Sequence, residues 1–215
     1  MRRQAAFTLV ELVMVIALAG VVAVMISTVL VRPMQGLVDQ SRRAELVDQA
    51  GLALSRMARD IRLAVPNSVR VQGSDLELLR IQAAGRYLPN RLGGDGLRFA
   101  PGTAADCTAT GNDCQAFQVL DPALAMAGAR WLVLYNVGAQ SGGVPVPGSN
   151  LWAAADADGR HVISPSGSTL SFANQAGQGV LRLQPPGGSF AFSFASPQRR
   201  FYLADEVVGL RCDLA

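Results

Sequence analysis

Three patterns of apolar and polar residues follow one another along the chain. The first is an apolar run, because the twenty residues from Leu12 to Val31 carry no charge. A helix rises about 1.5 Å per residue, so this run is long enough to cross a hydrocarbon core of roughly 30 Å. The only ionisable residue in the apolar stretch is Glu11, near its start. The pattern predicts a transmembrane helix over residues 7–32.

The second pattern is a stripe at helical spacing over residues 33–65. Mostly apolar residues recur at intervals of three and four: Leu37, Ser41, Ala44, Val47, Gly51, Leu54, Ala58, Ile61 and Val65. Charged residues fill the intervening positions. Pro33 predicts a kink or a loosened turn, and Pro66 disfavours helix at Val65. We therefore predict an amphipathic continuation of the helix, with its stripe packed on a sheet.

The third pattern has a period of two, which is typical of strands with one buried face. It covers residues 68–72, 75–82, 115–120, 130–137, 169–173, 180–184, 189–195, 199–204 and 207–212. Phe190, Phe192 and Phe194 are predicted to share one face. Residues 138–168 are rich in Gly, Ser and Pro and predict a long loop. No crossover helices separate the strands, so the sheet should be largely antiparallel.

These patterns predict an α+β fold, in which a long N-terminal helix packs on a largely antiparallel β-sheet. The part after the helix, residues 66–215, holds about 150 residues and is long enough for one domain with its own core. All nineteen basic residues are arginine, and the formal net charge is +3. The arginines are scattered among carboxylates and form no nucleic-acid-binding stripe.

Catalytic and metal-binding patterns are absent from the sequence. His161 is the only histidine, and no nucleophile elbow or phosphate-binding loop occurs. Asp156 and Asp158 resemble half of a calcium loop that lacks its later ligands and closing Glu, and Asp95 lies in a glycine-rich turn. The sequence therefore predicts neither an enzyme nor a cofactor.

A basic leader precedes the apolar run. Arg2 and Arg3 should hold residues 1–6 in the cytoplasm by the positive-inside rule. An ordinary secretory signal is the rival interpretation, but its apolar region is usually about 7–15 residues long and carries no carboxylate. A twin-arginine export signal also fits poorly, because the residues after Arg3 differ from one and the apolar run is too long.

The leader, the small residue Ala6 and the string FTLVEL ahead of a long apolar run resemble the class III signal of type IV pilins and type II secretion pseudopilins. The resemblance implies cleavage between Ala6 and Phe7 by a prepilin peptidase and N-methylation of Phe7. Most members have Gly before the cut, so Ala6 is a departure from the family pattern.

Two further strings narrow the resemblance. SRMARDIRLAVPNSVRV, at the end of the helix, and SPQRRFYLADEVVGLRCDLA, near residue 215, resemble the MshO-type minor pilins of the mannose-sensitive haemagglutinin (MSHA) pilus. The J-type minor pseudopilins of type II secretion share the long helix and an RDIR-like turn, and are the alternative. Members of this group usually continue past the final strand, so further residues after Ala215 and a missing sheet edge are expected.

The resemblance implies a structural subunit. It would cross the inner membrane once, place its head (residues 66–215) in the periplasm and then enter a pilus or pseudopilus fibre. Its partners would be the prepilin peptidase, other major and minor pilins, and the inner-membrane assembly platform. A membrane-anchored periplasmic enzyme or binding protein is the competing class. Its anchor would not need Glu11, and its domain should show a catalytic or ligand-binding cluster.

Glu11 has two interpretations. A carboxylate at the centre of a membrane helix costs about 2.5–3.5 kcal/mol on insertion scales, and less near an interface. In the first interpretation, Glu11 lies near the cytoplasmic end and reaches the lipid headgroups. In the second, cleavage creates an amine on Phe7, and Glu11 of one subunit pairs with the Phe7 amine of the next. The resemblance assigns this assembly role to the matching glutamate.

Cys107 and Cys114 would lie outside the inner membrane in this orientation, where disulfides persist. A local bridge is our first choice, and closing so short a loop would contribute about 2–3 kcal/mol in the chain-entropy account. Cys212 is then left over. It is buried, pairs with a cysteine beyond Ala215, or displaces one of the other two. The cysteine spacings match no zinc motif.

Overall fold

The structure, a computed structural model, describes residues 7–211, without the side chains of residues 30–35. Its first element is the 54-residue helix α1, Leu9–Arg62. The apolar part, Leu9–Val29, is 21 residues long and by length and composition is able to cross a membrane. Helical backbone continues through Pro33. The helix ends three residues before the predicted limit at Val65.

The chain divides into two compact units between Arg56 and Met57. In the first unit, the stripe residues Leu37, Val47 and Leu54 are exposed on α1. The packing of this stripe on a sheet stays a prediction. The second unit contains the last turns of α1 and all the strands.

The described part of the head is built from short strands and two long ones. In sequence order, strands β1 to β11 are Arg70–Gln72, Asp75–Arg86, Arg98–Phe99, Ala116–Val119, Trp131–Val133, Gln140–Ser141, Val144–Pro145, Thr169–Gln175, Gln178–Gln184, Phe190–Ala191 and Arg200–Arg211. A single turn of 3₁₀ helix covers Thr110–Asn112.

The strands form two larger sheets and two ribbons. The four-stranded sheet has the order β1-β2-β11-β5, and the three-stranded sheet has the order β4-β9-β8. The ribbons are β3 with β10 and β6 with β7. All of these strand pairs are antiparallel. The predicted α+β class and the largely antiparallel sheet are therefore confirmed.

The segment after α1 runs along the edge of β2. Ile81 N donates to Leu63 O at 2.7 Å, and Val65 N donates to Leu79 O at 2.8 Å. The Val65 side chain is fully buried in a cluster that includes Leu79 and Val133. The segment after the helix thus takes the place of a strand on this edge, which satisfies backbone groups that would otherwise be unpaired.

The main core lies around Phe117, which is fully buried. Its ring makes edge-to-face contacts with Tyr87, Phe99 and Phe201, with ring centroids 6.2, 6.1 and 5.7 Å away. Such pairs add roughly 0.5–1.5 kcal/mol each beyond the burial of their area. These residues come from three strands and the residue after β2, so the cluster joins segments that are distant in sequence.

The predicted strand over residues 130–137 is wrong in its second half, because β5 ends at Val133. Tyr135 has φ +48°, a left-handed conformation that is an outlier for a bulky residue. The next side chain, Asn136, donates to Pro66 O at 2.9 Å and accepts from Leu151 N at 3.1 Å. These side-chain hydrogen bonds compete with a sheet ladder and turn the backbone out of the extended conformation.

The predicted strand over residues 189–195 is also too long, since only Phe190–Ala191 is a strand. Phe190 and Phe192 are buried, whereas Phe194 is 39% exposed. Phe192 N donates to Leu97 O at 3.1 Å, and the Phe194 ring meets the Tyr135 ring with centroids 6.4 Å apart. Phe194 therefore does not share the buried environment of the other two rings.

The two strands predicted over residues 199–204 and 207–212 form one strand, β11, which begins at Arg200 and is described as far as Arg211. The register shifts on either side of Ala204, so Asp205 and Glu206 form a bulge. Arg80 Nη2 lies 2.5 Å from Asp205 Oδ2, and its Nη1 lies 2.6 Å from Glu206 Oε1. A bulge interrupts the period of two, which explains why the pattern indicated two separate strands.

The predicted loop over residues 138–168 contains the hairpin β6–β7. Its turn is Gly142-Gly143, with φ +59° and +79°. A two-residue hairpin turn with both φ values positive strongly favours glycine, because glycine has no Cβ to clash. The Gly-Gly pair is therefore a local sequence signal for this hairpin within the predicted loop.

Candidate processing and assembly site

The N-terminal end of α1 is capped by Thr8. Glu11 N donates to Thr8 O at 3.1 Å and lies 3.4 Å from Thr8 Oγ1, and Leu12 N donates to Thr8 O at 3.2 Å. Phe7 and Thr8 precede the helix. The spacing Thr-x-x-Glu is that of a capping box, in which the threonine hydroxyl accepts from the third helical residue. Thr8 was not among the predicted site residues, although the string TLVE contains the signal.

Glu11 is the third residue of α1 and the acidic residue of its first turn. Unsatisfied N–H groups give this end of a helix a partial positive charge, which favours an anion there. Phe7 lies one turn before Glu11, and the two are the described residues of the predicted processing and assembly site. Ala6, on the other side of the predicted cut, lies outside the described residues.

The apolar part of α1 exposes its side chains. Phe7 is 73% exposed and Leu9 is 79% exposed, and the described residues as far as Val29 are exposed as well. Even a Cβ added at Gly20 would meet no atom within 4 Å. A continuous apolar surface of this size marks a region that lipid or another protein covers.

Cys107 and Cys114 are joined by a disulfide, with their Cα atoms 5.2 Å apart. Both residues are buried. The backbone on each side is tied to the same loop, since Cys107 N donates to Ala104 O at 2.9 Å and Cys114 N donates to Gly102 O at 3.1 Å. Cys212 lies outside the described residues, so its state is not described.

The acidic residues of the predicted turns are held by protein donors. Asp156 Oδ1 accepts from Asp158 N at 3.0 Å and from Arg160 N at 2.7 Å. Burial acts to raise the pKa of Asp156, but the backbone donors and the Arg160 guanidinium outweigh it and lower the pKa. Asp95 O accepts the hydroxyl of Tyr87 at 3.1 Å. Among residues 7–211, no group of three or more metal-ligating side chains occurs.

His161 lines a cavity of about 380 Å³ together with the two tryptophans of the protein. Its Nε2 is 3.1 Å from Ala153 O. Burial lowers the pKa of the imidazole, so the ring is neutral at pH 7. The neutral, half-buried ring contacts the Ala153 carbonyl through Nε2, and its Nδ1 is buried without a hydrogen-bond partner among the described residues.

Comparison with known proteins adds one finding. The family model for the prokaryotic N-terminal methylation motif matches residues 1–27. Neither the curated proteins nor the solved structures gave a significant match to the chain. The matched stretch includes Ala6, Phe7, Thr8 and Glu11.

Signal and structure agree at this end of the protein. The methylation motif covers the leader, the predicted cut and the first turns of α1, and the apolar helix continues directly from it. The protein therefore carries the class III signal of a type IV pilin-like substrate of prepilin peptidase, followed by a hydrophobic N-terminal helix.

Proposed function

We propose that this protein is a minor pilin, a structural and assembly subunit of a type IV pilus of the MSHA kind. The observation behind the proposal is the methylation motif over residues 1–27, continuous with a capped apolar helix. A prepilin peptidase cuts between Ala6 and Phe7, and Phe7 is methylated. The protein then crosses the inner membrane once, with its head in the periplasm, until the assembly platform adds it to the fibre.

In this proposal Glu11 acts as a register residue. Cleavage before Phe7 leaves a positive amine on the residue that precedes the capped helix. In a bundle of such helices, the carboxylate of Glu11 on one subunit pairs with the Phe7 amine of its neighbour. A pair of this kind adds little net stability in a low-dielectric region, but removing one partner leaves an uncompensated charge. The pair therefore specifies the axial position of a subunit.

In this proposal the head provides surfaces that contact other subunits, and it catalyses no reaction. Its disulfide, between Cys107 and Cys114, is of the kind that persists in the oxidising periplasm. We propose no catalytic role for the protein and no cofactor. Contacts of the head with other major and minor pilins would determine the position of the subunit in the fibre.

A minor pseudopilin of type II secretion is the second candidate. The same processing signal supports it, and so does the RDIR string at residues 59–62, the last turn of α1. Genetic complementation distinguishes the two candidates. The gene should restore fibres in a strain that lacks an MSHA minor pilin, and should not restore secretion in a strain that lacks a J-type pseudopilin. The reverse result would favour the pseudopilin.

Processing is tested by co-expressing the full-length protein with a prepilin peptidase. The expected product lacks six residues and begins with N-methyl-Phe7, which intact mass and N-terminal peptide sequencing both detect. A catalytically inactive peptidase is the control. Cleavage near residues 20–30, or an unchanged mass with active peptidase, would contradict the proposal.

Assembly is tested with Glu11→Val and Glu11→Gln in a strain that lacks the wild-type gene. We expect normal membrane insertion and leader cleavage, but strong loss of the protein from sheared fibres, because the Phe7 amine of the neighbouring subunit loses its counter-charge. Glu45→Gln is the matched control, since Glu45 is a carboxylate further along the same helix. Wild-type levels of Glu11→Val in the fibre fraction would show that Glu11 is only an interfacial residue.

A further inference from the structure

A small cavity lies where the first residues of β11 meet the loops after α1 and after β5. Its volume is about 260 Å³. We call it the Arg200 pocket, and it is lined by Pro66, Asn67, Tyr135, Asn136, Ser196, Pro197, Gln198, Arg200 and Tyr202. Arg200 is the only charged residue in this lining, and none of the lining residues is acidic.

The polar walls of the Arg200 pocket are fixed by their own hydrogen bonds. Asn67 Nδ2 donates to Asn136 O at 3.0 Å and to Val137 O at 3.2 Å. Asn136 Nδ2 donates in return to Pro66 O at 2.9 Å. A reciprocal pair of this kind joins the loop after α1 to the loop after β5. Both asparagines are therefore occupied in forming the pocket, and its shape is set before any ligand arrives.

Backbone strain is concentrated around this pocket. Asn67, Tyr135 and Arg199 have φ of +59°, +48° and +52°. Non-glycine residues in the left-handed region cost of order 1–3 kcal/mol each, and such strain is found most often at functional sites. The strain at Tyr135 is not explained by burial of the ring, since the residue is 43% exposed.

A second arginine lies across the strand pair from Arg200. Arg200 lies directly opposite Arg86 in the register of β11 and β2. Directly opposite residues of an antiparallel pair point to the same face, and like charges there are destabilising. Neither guanidinium forms an ion pair with a carboxylate among the described residues. The neighbouring Arg199, by contrast, lies 3.5 Å from Asp95.

Apart from the polar residues Ser196 and Gln198, the rest of the lining is aromatic and prolyl. Along β11, Phe201 and Leu203 are buried in the core, so Arg200 and Tyr202 lie on the opposite face by the alternation of a strand. Tyr202, Tyr135, Pro66 and Pro197 present ring surfaces, while the guanidinium offers a fork of donors that matches a carboxylate. The lining thus suits a carboxylate attached to a short apolar stem.

The size of the pocket favours one side chain over a whole small molecule. Pockets for drug-sized ligands are about 300–1,000 Å³, and this one is smaller and open to solvent. We propose that the Arg200 pocket binds a carboxylate presented by a partner polypeptide, either a glutamate side chain or the carboxyl terminus of the polypeptide. This inference goes beyond the proposed function and does not depend on it, because processing and fibre entry are tested at the other end of the protein.

Fluorine NMR of the full-length protein in detergent micelles tests the binding. The protein has three tyrosines, so incorporation of 3-fluorotyrosine gives three signals. Tyr135 and Tyr202 line the pocket. Tyr87 is fully buried in the core and its hydroxyl accepts from Ser196 N at 3.2 Å, so its signal shows whether a change extends from the pocket into the core. Single Tyr→Phe variants assign the signals.

Four blocked peptides serve as probes. N-acetyl-Pro-Glu-amide and N-acetyl-Gly-Leu carry a side-chain and a terminal carboxylate, and N-acetyl-Pro-Gln-amide and N-acetyl-Gly-Leu-amide are their neutral counterparts. We expect a carboxylate probe to shift the Tyr135 and Tyr202 signals with saturation, and the neutral counterparts to leave them unchanged. The carboxylate probe that binds with the lower Kd shows whether the pocket prefers a side-chain or a terminal carboxylate.

Substitution of one arginine tests the role of the cation. Arg200→Gln should weaken binding of the better carboxylate probe by about tenfold or more, as expected for loss of a charge-assisted, bidentate contact. Arg199→Gln removes an adjacent charge that is directed at Asp95, and it should bind as the wild type does. Unchanged binding by Arg200→Gln would overturn the proposal.

Three further results would also overturn it. If the neutral peptides bind as well as the acidic ones, the pocket recognises no charge. If inorganic phosphate or acetate saturates the same signals at lower concentration than either peptide, the pocket is a general anion site and the apolar stem contributes nothing. A shift of Tyr87 equal to that of the other two tyrosines would indicate a global change instead of local binding.

Discussion

The membrane helix and the head use the same kinds of apolar residue in opposite ways. Along Leu9–Val29 the described side chains are exposed, whereas in the head residues such as Phe117 and Leu132 are fully buried. The helix satisfies its backbone groups within itself, so it can form without tertiary contacts and must cover its side chains with lipid or with other proteins. The strands of the head must find partners, and those partners are distant in sequence.

This difference indicates that different residues determine the stability of the head and the assembly of the protein. A substitution in the buried core should change the stability of the head and leave the helix intact. A substitution on the exposed apolar helix should change insertion or assembly and leave the head intact. A substitution at a buried position of the head is therefore best paired with a control substitution at an exposed position.

The largest effect is expected at Phe117. Phe117→Ala would leave a cavity among three aromatic neighbours and should lower the free energy of unfolding of the head by about 3–5 kcal/mol. Ile16→Ala, on the exposed part of the helix, should leave it unchanged. Urea unfolding of the full-length protein in detergent, followed by near-ultraviolet circular dichroism, measures both. Equal losses in the two variants would show that helix and head unfold together, and would break the comparison.

Removal of the disulfide should have the next largest effect. Cys107→Ser with Cys114→Ser should lower the free energy of unfolding by about 2–3 kcal/mol, because the unfolded polypeptide regains the freedom of the closed loop. The same urea titration measures it, with wild-type protein under reducing conditions as a second arm. Peptide mapping without reduction should find Cys107 joined to Cys114. A bridge that contains Cys212 would refute this pairing.

Gly85 tests how tightly β2 packs on β11. A Cβ at this position would lie 2.7 Å from Phe201 Cζ, and that ring is fully buried. Gly85→Ala should therefore cost about 1–3 kcal/mol through overpacking. Gly209 lies in the paired strand with nothing within 4 Å of an added Cβ, so Gly209→Ala is the matched control. If both variants unfold at the same urea concentration, the Phe201 ring moves freely.

The smallest effect is a pH dependence at the β11 bulge. A hydrogen bond from Arg80 holds the pKa of Asp205 below its ordinary value. The folded state therefore binds this proton less readily than the unfolded state. The stabilisation is present in full above the unfolded pKa of about 4 and is lost as the pH falls through the lowered folded pKa.

Asp205→Asn should remove this contribution. We expect a loss of about 1 kcal/mol or less at pH 7, since Arg80 is partly exposed. The difference from the wild type should shrink towards pH 3. A difference at Asp205 that grows as the pH falls would contradict the assigned direction.

Patterns along the sequence were sufficient to predict those elements that depend on neighbouring residues alone. The run from Leu12 to Val31 predicted the apolar helix, and the period of two predicted β2, β4, β8 and β9 in nearly their observed places. The string FTLVEL predicted the processing signal that the methylation motif matches. Thr8 was equally readable, because a capping box lies within four consecutive residues.

The strand predictions that were wrong failed because of contacts between residues that are distant in sequence. Tyr135 leaves the extended conformation because Asn136 bonds to Pro66 and Leu151. Two predicted strands form the single strand β11 because Arg80, some 125 residues away, holds the carboxylate of Asp205 at the bulge. No window of neighbouring residues contains either partner, so no period along the sequence could have indicated them.

The sequence by itself determined that an apolar helix comes first and that a β-rich, largely antiparallel part follows it. It did so because charge, hydrophobic length and periodicity are properties of contiguous residues. Only the tertiary structure decided which strands are neighbours, where β5 ends, and that Tyr135, Arg200 and Tyr202 line one pocket. That juxtaposition depends on the pairing of β2, β5 and β11, three strands that are distant from one another in the sequence.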